Sequence, residues 1–124
     1  IACGLIPWDK GVIDAPIARE PESAVKRRVS AEGKQAVTRY RVVARTRGMT
    51  LLRVRIDTGR THQIRVHFAH LGCPLAGDGL YGGSQEKISR QALHCARIAF
   101  IHPVTHIPVC FKSPLPKDMR SLLK

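Results

Sequence analysis

The chain has 124 residues, about one domain, and its 44% hydrophobic content is enough to build a core and excludes a disordered polypeptide. Its 21 Lys and Arg against 9 Asp and Glu give a formal net charge of +12, which favours a polyanionic partner such as nucleic acid. The apolar stretches are far shorter than the roughly 20 residues of a membrane span, so we expect no contact with a membrane.

The first part of the chain alternates strand-like runs with turns. Residues 1–6 are apolar and strand-like, and because the chain opens inside this run with Ile1, we expect it to be a segment of a longer protein. After a turn, residues 12–17 are predicted to form a second strand. Residues 18–34 are polar and charged, which predicts an exposed excursion.

Two strands with strict alternation follow, one beginning at residue 36 and the other at residue 52. Alternation of this kind marks half-buried strands with one face in water. An antiparallel hairpin would bring four arginines of the wet face side by side, as a plausible phosphate-facing surface: Arg39, Arg41, Arg53 and Arg55.

The next segment, residues 61–71, is predicted to be a helix. Ile64, Phe68 and Leu71 recur at helical spacing, Thr61 is a candidate N-cap, and Gly72 is a candidate left-handed residue after the last turn. A strand is the competing prediction, because polar and apolar side chains also alternate here. The length and the two terminal signals favour the helix.

The remainder contains a glycine-rich loop at 73–83, two apolar strands at 96–102 and 107–111 joined as a hairpin, and a final short helix at 117–123. The prediction is one α+β unit over residues 1–124, with a mainly antiparallel mixed sheet and flanking helices. Four cysteines lie far apart without a C-x-x-C pair, which argues against a structural zinc site and for reduced thiols in a cytoplasmic protein.

The densest polar cluster surrounds the predicted helix start. Gly59 permits a tight passage from strand to helix, and a helix N-terminus flanked by Arg60 and His62 attracts anions. Arg65 lies one turn beyond His62, so both side chains can project toward one point, and its guanidinium could clamp a carboxylate through two parallel hydrogen bonds. A capped helix with solvent-exposed polar residues is the plain alternative.

The chain resembles the C-terminal half of the catalytic domain of RluA-type ribosomal RNA pseudouridine synthases. The resemblance is carried by residues 59–67 (Gly-Arg-Thr-His-Gln-Ile-Arg-Val-His), Gly72, Pro74, Gly77-Asp78 and Tyr81-Gly82, with further matches at residues 12–17, 33–40, 90–94, 102–103 and 114–119. These segments cover nearly the whole chain in the right order.

The resemblance implies an enzyme that isomerises uridine in RNA, in this case large-subunit ribosomal RNA, to pseudouridine. An aspartate attacks or deprotonates the ribose of a flipped-out nucleotide, without a metal or an organic cofactor. The arginine that pairs with this aspartate in the family maps onto Arg65, the implied catalytic residue. Arg60, Thr61, His62 and Gln63 are the implied substrate-binding residues.

The chain also departs from the family pattern. The aspartate of the family lies in an arginine-leucine-aspartate…threonine-serine-glycine motif that is absent here, and the family tyrosine would fall just before Ile1. Asp78, between two glycines, is predicted to be a turn residue that bonds its own backbone. We therefore expect the N-terminal half of the catalytic domain to be a partner of this chain, and the 124 residues alone to be inactive. The alternative is a non-catalytic basic RNA-binding module with the same fold.

Overall fold

The computed structural model describes residues 1–124 and has an α+β fold in which every strand pair is antiparallel. In chain order the elements are β1 (Ala2–Cys3), β2 (Lys10–Asp14), β3 (Ile17–Arg19), β4 (Arg27–Val29), β5 (Val37–Thr46), β6 (Met49–Ile56), α1 (Gln63–His70), a 3-10 turn (Gly79–Tyr81), β7 (Arg97–Ile101), β8 (Pro108–Lys112) and α2 (Lys117–Leu122). The predicted fold class is confirmed. Neither helix has the length and apolarity that crossing a bilayer requires.

A four-stranded sheet in the order β1-β6-β5-β2 is the centre of the fold. Its longest pair is the predicted β5–β6 hairpin, which turns through Arg47 and Gly48 with φ of 52° and 75°. Two successive left-handed residues are what the tight turn of a twisted hairpin requires. The register opposes Arg39 to Arg55 and Arg41 to Arg53, so the predicted arginine set does lie side by side.

The main core lies between the inner face of this sheet and α1. Phe68 of α1 is fully buried and meets the ring of Tyr40 from β5 edge-on, with the ring centroids 5.7 Å apart. Burial of a phenylalanine side chain contributes roughly 1.5–3 kcal/mol to folding. A second apolar cluster includes Met49, Ile88 and Met119 and fixes α2 to the other end of the molecule.

The structure divides the strand predicted over residues 12–17. β2 ends at Asp14 and β3 begins at Ile17, because Pro16 has no N–H to continue the ladder. The excursion at 18–34 is not simply loop, since β3 pairs with β4 as a small hairpin within it. The opening run is paired only at Ala2–Cys3.

Helix α1 exists as predicted, but its start differs. It begins at Gln63, and the predicted cap Thr61 is wrong: Thr61 lies exposed in a turn, and the N-cap residue is His62, whose side chain does not cap the helix. His62 has the left-handed φ of 56°, a conformation that costs energy in a residue with a side chain. The C-terminal prediction is confirmed, because Gly72 is left-handed, with φ of 82°.

The predicted β7–β8 hairpin is confirmed as a separate two-stranded ribbon. The register puts Ile98 opposite Phe111 and Phe100 opposite Val109, so these four apolar side chains share one face. Ile98, Phe100 and Phe111 are exposed. A two-stranded ribbon is marginally stable unless its apolar face packs on something.

Candidate active site

Arg65 and Asp78 form a bidentate ion pair below the surface. Arg65 Nε and Nη2 donate to the two carboxylate oxygens of Asp78 at 2.9 and 2.8 Å. The side chain of Asp78 is fully buried and that of Arg65 is 15% exposed. The hydrogen bonds to Asp78 raise the pKa of Arg65, so this guanidinium is a permanent charge.

This pair corrects the prediction for Asp78. Its side chain does not bond its own backbone but holds Arg65, while its backbone forms the turn that leads into the 3-10 segment. The sequence gives no periodic signal for the pair, because the two residues are separated by a helix end and a glycine-rich loop. Arg65 therefore already has a carboxylate partner within these residues.

Tyr81 is the point toward which His62 and Arg65 both project, as their spacing predicted. The guanidinium carbon of Arg65 lies 5.2 Å from the ring centroid of Tyr81, a cation–π distance. The Tyr81 hydroxyl accepts a hydrogen bond from the backbone N–H of Arg27 at 2.9 Å and lies 2.8 Å from His62 Nδ1. Tyr81 belongs to the recognised signature, but the sequence alone assigned it no role.

The imidazole of His62 fits the neutral state. Burial lowers its pKa, and the positive charges of Arg65 and Arg27 lower it further. The Tyr81 hydroxyl has one proton to donate, and Nδ1 of a neutral His62 imidazole can accept it. The left-handed backbone of His62 is thus part of the geometry that puts its ring on Tyr81.

Gln63 lies inside the fold rather than on its surface. Its Oε1 accepts from the Thr58 hydroxyl at 2.8 Å and from the Arg60 N–H at 3.0 Å, while its Nε2 donates to Val37 O and Thr38 Oγ1. All of its amide groups are therefore engaged, and the side chain ties the start of α1 to β5.

The network continues to His67, which is fully buried. Thr38 Oγ1 lies 2.7 Å from His67 Nδ1, and His67 Nε2 donates to Ala15 O at 2.9 Å. Because the Ala15 carbonyl can only accept, Nε2 carries the proton and Nδ1 accepts from Thr38. Burial lowers the pKa of His67, so the network holds a neutral imidazole.

The other two predicted binding residues lie at the rim of this region. Arg60 is exposed, and its Nε donates to Gln35 O at 2.8 Å. Thr61 is exposed in the turn before His62. The structure thus brings His62 and Arg65 together at Tyr81, buries Gln63 beneath them, and leaves Arg60 and Thr61 facing solvent.

Arg65 keeps part of its hydrogen-bonding capacity free. Its Nη1 donates no hydrogen bond within the chain, although Nε and Nη2 are held by Asp78. A guanidinium fixed on one edge presents its other edge at a defined angle, which suits a second carboxylate or a phosphate. The arrangement of Arg65 and Asp78 can therefore orient such an anion.

Comparison with known proteins identifies the family of the chain. Residues 4–70 match the family model described as RNA pseudouridylate synthase. The chain is 49% identical over 115 residues, 93% of its length, to an uncharacterized RNA pseudouridine synthase, YjbO, of Bacillus subtilis, of which it covers 41%. It is 41% identical over 128 residues to the ribosomal large subunit pseudouridine synthase D of Escherichia coli K12, covering 92% of the chain and 39% of that protein.

A solved structure gives the same result for the fold. The chain superposes on human RNA pseudouridylate synthase domain containing 1 with a TM-score of 0.76 and 25% identity, over 95% of this chain and 54% of that one. It spans about two fifths of the length of the two curated bacterial relatives. The chain belongs to the RNA pseudouridylate synthase family, of the RluA type.

Proposed function

We propose that the protein to which these residues belong converts uridine to pseudouridine in RNA, in the cytoplasm, and that its substrate is large-subunit ribosomal RNA. The observation that carries the proposal is Arg65, held against Asp78 and Tyr81 with Nη1 free. The named substrate of the Escherichia coli relative supports the choice of RNA.

The reaction is an isomerisation and needs no external oxidant or reductant. The bond between uracil N1 and the ribose breaks, the uracil turns, and C5 forms the new bond to the same ribose carbon. C5 then loses its hydrogen as a proton and N1 gains a proton, so the product is an isomer of the substrate. An aspartate acts on the ribose, and Arg65 donates from its free edge to that carboxylate. An opposite charge within about 4–6 Å keeps a carboxylate ionised by lowering its pKa, typically by about 1–3 units.

We infer that this aspartate lies outside the 124 residues. Three of the aspartates in the chain, Asp9, Asp57 and Asp118, pair with arginines at the surface, away from Arg65. Asp78 is buried with both oxygens on Arg65, so its carboxylate cannot reach a ribose. None of the five aspartates, Asp14 included, stands in the family motif for the nucleophile.

The apolar face of the β7–β8 ribbon supports a further segment of the same catalytic domain as partner. Ile98, Phe100 and Phe111 are exposed together, and the ring centroids of the two phenylalanines are 6.1 Å apart. Uncovered apolar surface of this kind marks an interface. The curated relatives are more than twice as long as this chain, which leaves ample polypeptide to cover the ribbon.

Of the implied substrate-binding residues, Arg60 and Thr61 are proposed to contact the RNA directly, because both side chains face solvent beside the site. His62 is proposed to line the pocket of the flipped base through its ring. Gln63 has no free polar atom, so its proposed role is to hold this loop in place.

A chimera tests the proposal. The portion of the Escherichia coli enzyme that precedes the aligned region is joined to residues 1–124 and expressed in cells that lack the native enzyme. We expect pseudouridine to reappear in the large-subunit ribosomal RNA, and we expect the 124 residues alone to restore none. Pseudouridine formed by residues 1–124 alone would contradict the assignment of the nucleophile.

The second candidate function is a non-catalytic RNA-binding module, favoured by the four exposed arginines of the β5–β6 hairpin. The same chimera distinguishes the binding module from the enzyme. A folded chimera that binds RNA with the affinity of the Escherichia coli enzyme, and yet forms no pseudouridine, would support the binding module and contradict the enzyme.

A further inference from the structure

The outer face of the central sheet carries a cluster of cations in register. Lys10 of β2 opposes Arg41 of β5, which opposes Arg53 of β6, and in the next row Arg39 opposes Arg55. Side chains directly opposite in antiparallel strands share a face. We call these five exposed residues the basic sheet face.

Little within the chain compensates these charges. Arg39 alone has an acidic partner, with Nε 2.8 Å from Asp57 Oδ2, and that pair is half exposed. Lys10, Arg41, Arg53 and Arg55 form no ion pair. Like charges directly opposite on adjacent strands destabilise a sheet, so repulsion among these residues lowers the stability of the isolated fold.

The core fixes this arrangement. Along β5, Thr38 and Tyr40 alternate with Arg39 and Arg41. Thr38 and Tyr40 are the buried residues and face α1. A register shift of one residue would turn the arginines into the core, so the sheet cannot relieve the repulsion by sliding. The face is therefore a preformed array of positive charge.

The basic sheet face lies on the side of the sheet opposite to α1. Arg65 and His62 belong to α1 and its N-cap, which are on the inner side with Tyr40 and Phe68. The two regions are thus separated by the thickness of the sheet. An RNA segment at the basic sheet face cannot be the nucleotide that meets Arg65.

We propose that the basic sheet face is a second RNA-docking surface, which binds the phosphate backbone of a part of the substrate away from the modified uridine. The inference rests on the proposed RNA substrate and adds to it. Guanidinium groups bind phosphate through paired hydrogen bonds. The outward positions of β2, β5 and β6 include no aromatic side chain, which favours recognition of backbone and shape over base stacking.

The test measures how the affinity of the 124-residue chain for an RNA duplex of arbitrary sequence depends on salt concentration. The variant is Arg41→Gln with Arg53→Gln, a directly opposed pair without acidic partners. The control is Arg97→Gln with Lys112→Gln, an equally exposed and directly opposed pair on the β7–β8 ribbon. Both variants remove two positive charges, so they differ only in where the charges lie.

We expect the slope of log K against log salt concentration to become shallower by about 1.4–1.8 in the first variant, because each lost phosphate contact removes roughly 0.7–0.9. The control should change the slope by less than half as much, and neither variant should lower the unfolding temperature. Equal slopes in the two variants would overturn the proposal, as would stronger binding of anionic lipid vesicles than of RNA.

Binding is measured without any assay of pseudouridine, so this inference and the proposed enzyme can fail separately.

Discussion

At the scale of single residues, the ion pair between Arg65 and Asp78 determines how the site is held. Removal of one partner of a buried pair leaves the other charge uncompensated and typically costs about 3–5 kcal/mol. Exposed pairs contribute much less, because water screens both charges. The chain contains two bidentate pairs: Arg65–Asp78 is the buried pair, and Arg90–Asp118 is the exposed pair.

We therefore predict that Asp78→Asn lowers the free energy of unfolding by about 3–5 kcal/mol. Asp118→Asn should change it little, although it removes the charge of an equally bidentate pair, because Arg90 and Asp118 are half exposed. Denaturant unfolding of both variants measures the difference. Equal losses in the two variants would show that burial of the Arg65–Asp78 pair is energetically unimportant.

The buried imidazole of His67 predicts a pH dependence of stability. Its pKa is lowered by burial below the ordinary value of 6.5, so the unfolded chain binds a proton more readily than the folded chain does. Its contribution to stability is therefore full above pH 6.5 and is lost as the pH falls below that value. Unfolding free energies measured between about pH 8 and pH 5 should show this decline.

His67→Gln should reduce that pH dependence, while His106→Asn, at an exposed turn, should retain it in full. His62, whose pKa is also lowered, accounts for part of what remains in the His67 variant. A slope unchanged by His67→Gln would contradict the neutral buried imidazole.

Residue types and spacing predicted some of the site but not its contacts. His62 and Arg65 do meet at one point as predicted, although His62 precedes the helix and reaches that point through its left-handed backbone. Their common neighbour Tyr81 and the partner Asp78 come from a loop whose path depends on tertiary packing, so no local pattern could identify them. The cap at Thr61 was wrong because Gln63, bonded to Thr58 and to the Arg60 N–H, fixes the helix entry instead.

At the scale of elements, alternation predicted the β5–β6 and β7–β8 hairpins well, because a period of two is a property of the strand itself. The small β3–β4 hairpin was missed, since its three-residue strands are polar and too short to show a pattern. The break at Pro16 follows from its missing N–H and was available from the sequence. Helix α1 was the better alternative to a strand, and both its length and Gly72 supported it.

The exposed apolar face of the β7–β8 ribbon predicts self-association of the 124-residue chain. We expect Ile98→Thr with Phe111→Thr to reduce the apparent mass in sedimentation or light scattering, because the two side chains oppose each other on the uncovered face. Leu80→Thr, at an exposed apolar side chain far from the ribbon in sequence, is the control. A purely monomeric parent chain at the highest attainable concentration would contradict this prediction.

At the scale of the whole molecule, the central sheet separates two surfaces of different character. The α1 side holds Arg65 at fixed geometry, and the other side carries uncompensated positive charge. We propose that a further segment supplies the nucleophile to the first surface, that RNA backbone docks on the second, and that the free edge of Arg65 orients the nucleophile.

The most direct test is single-turnover pseudouridine formation by the chimera carrying Arg65→Lys, with Arg90→Lys as the matched control. Lysine keeps the charge and loses the planar fork, so we predict a rate lower by on the order of 10- to 100-fold, equivalent to a lost charge-assisted hydrogen bond of about 1.5–3 kcal/mol. The RNA affinity should be unchanged, and the control should keep the parent rate. A parent-like rate in Arg65→Lys, or a loss confined to RNA affinity, would contradict the proposed role of Arg65.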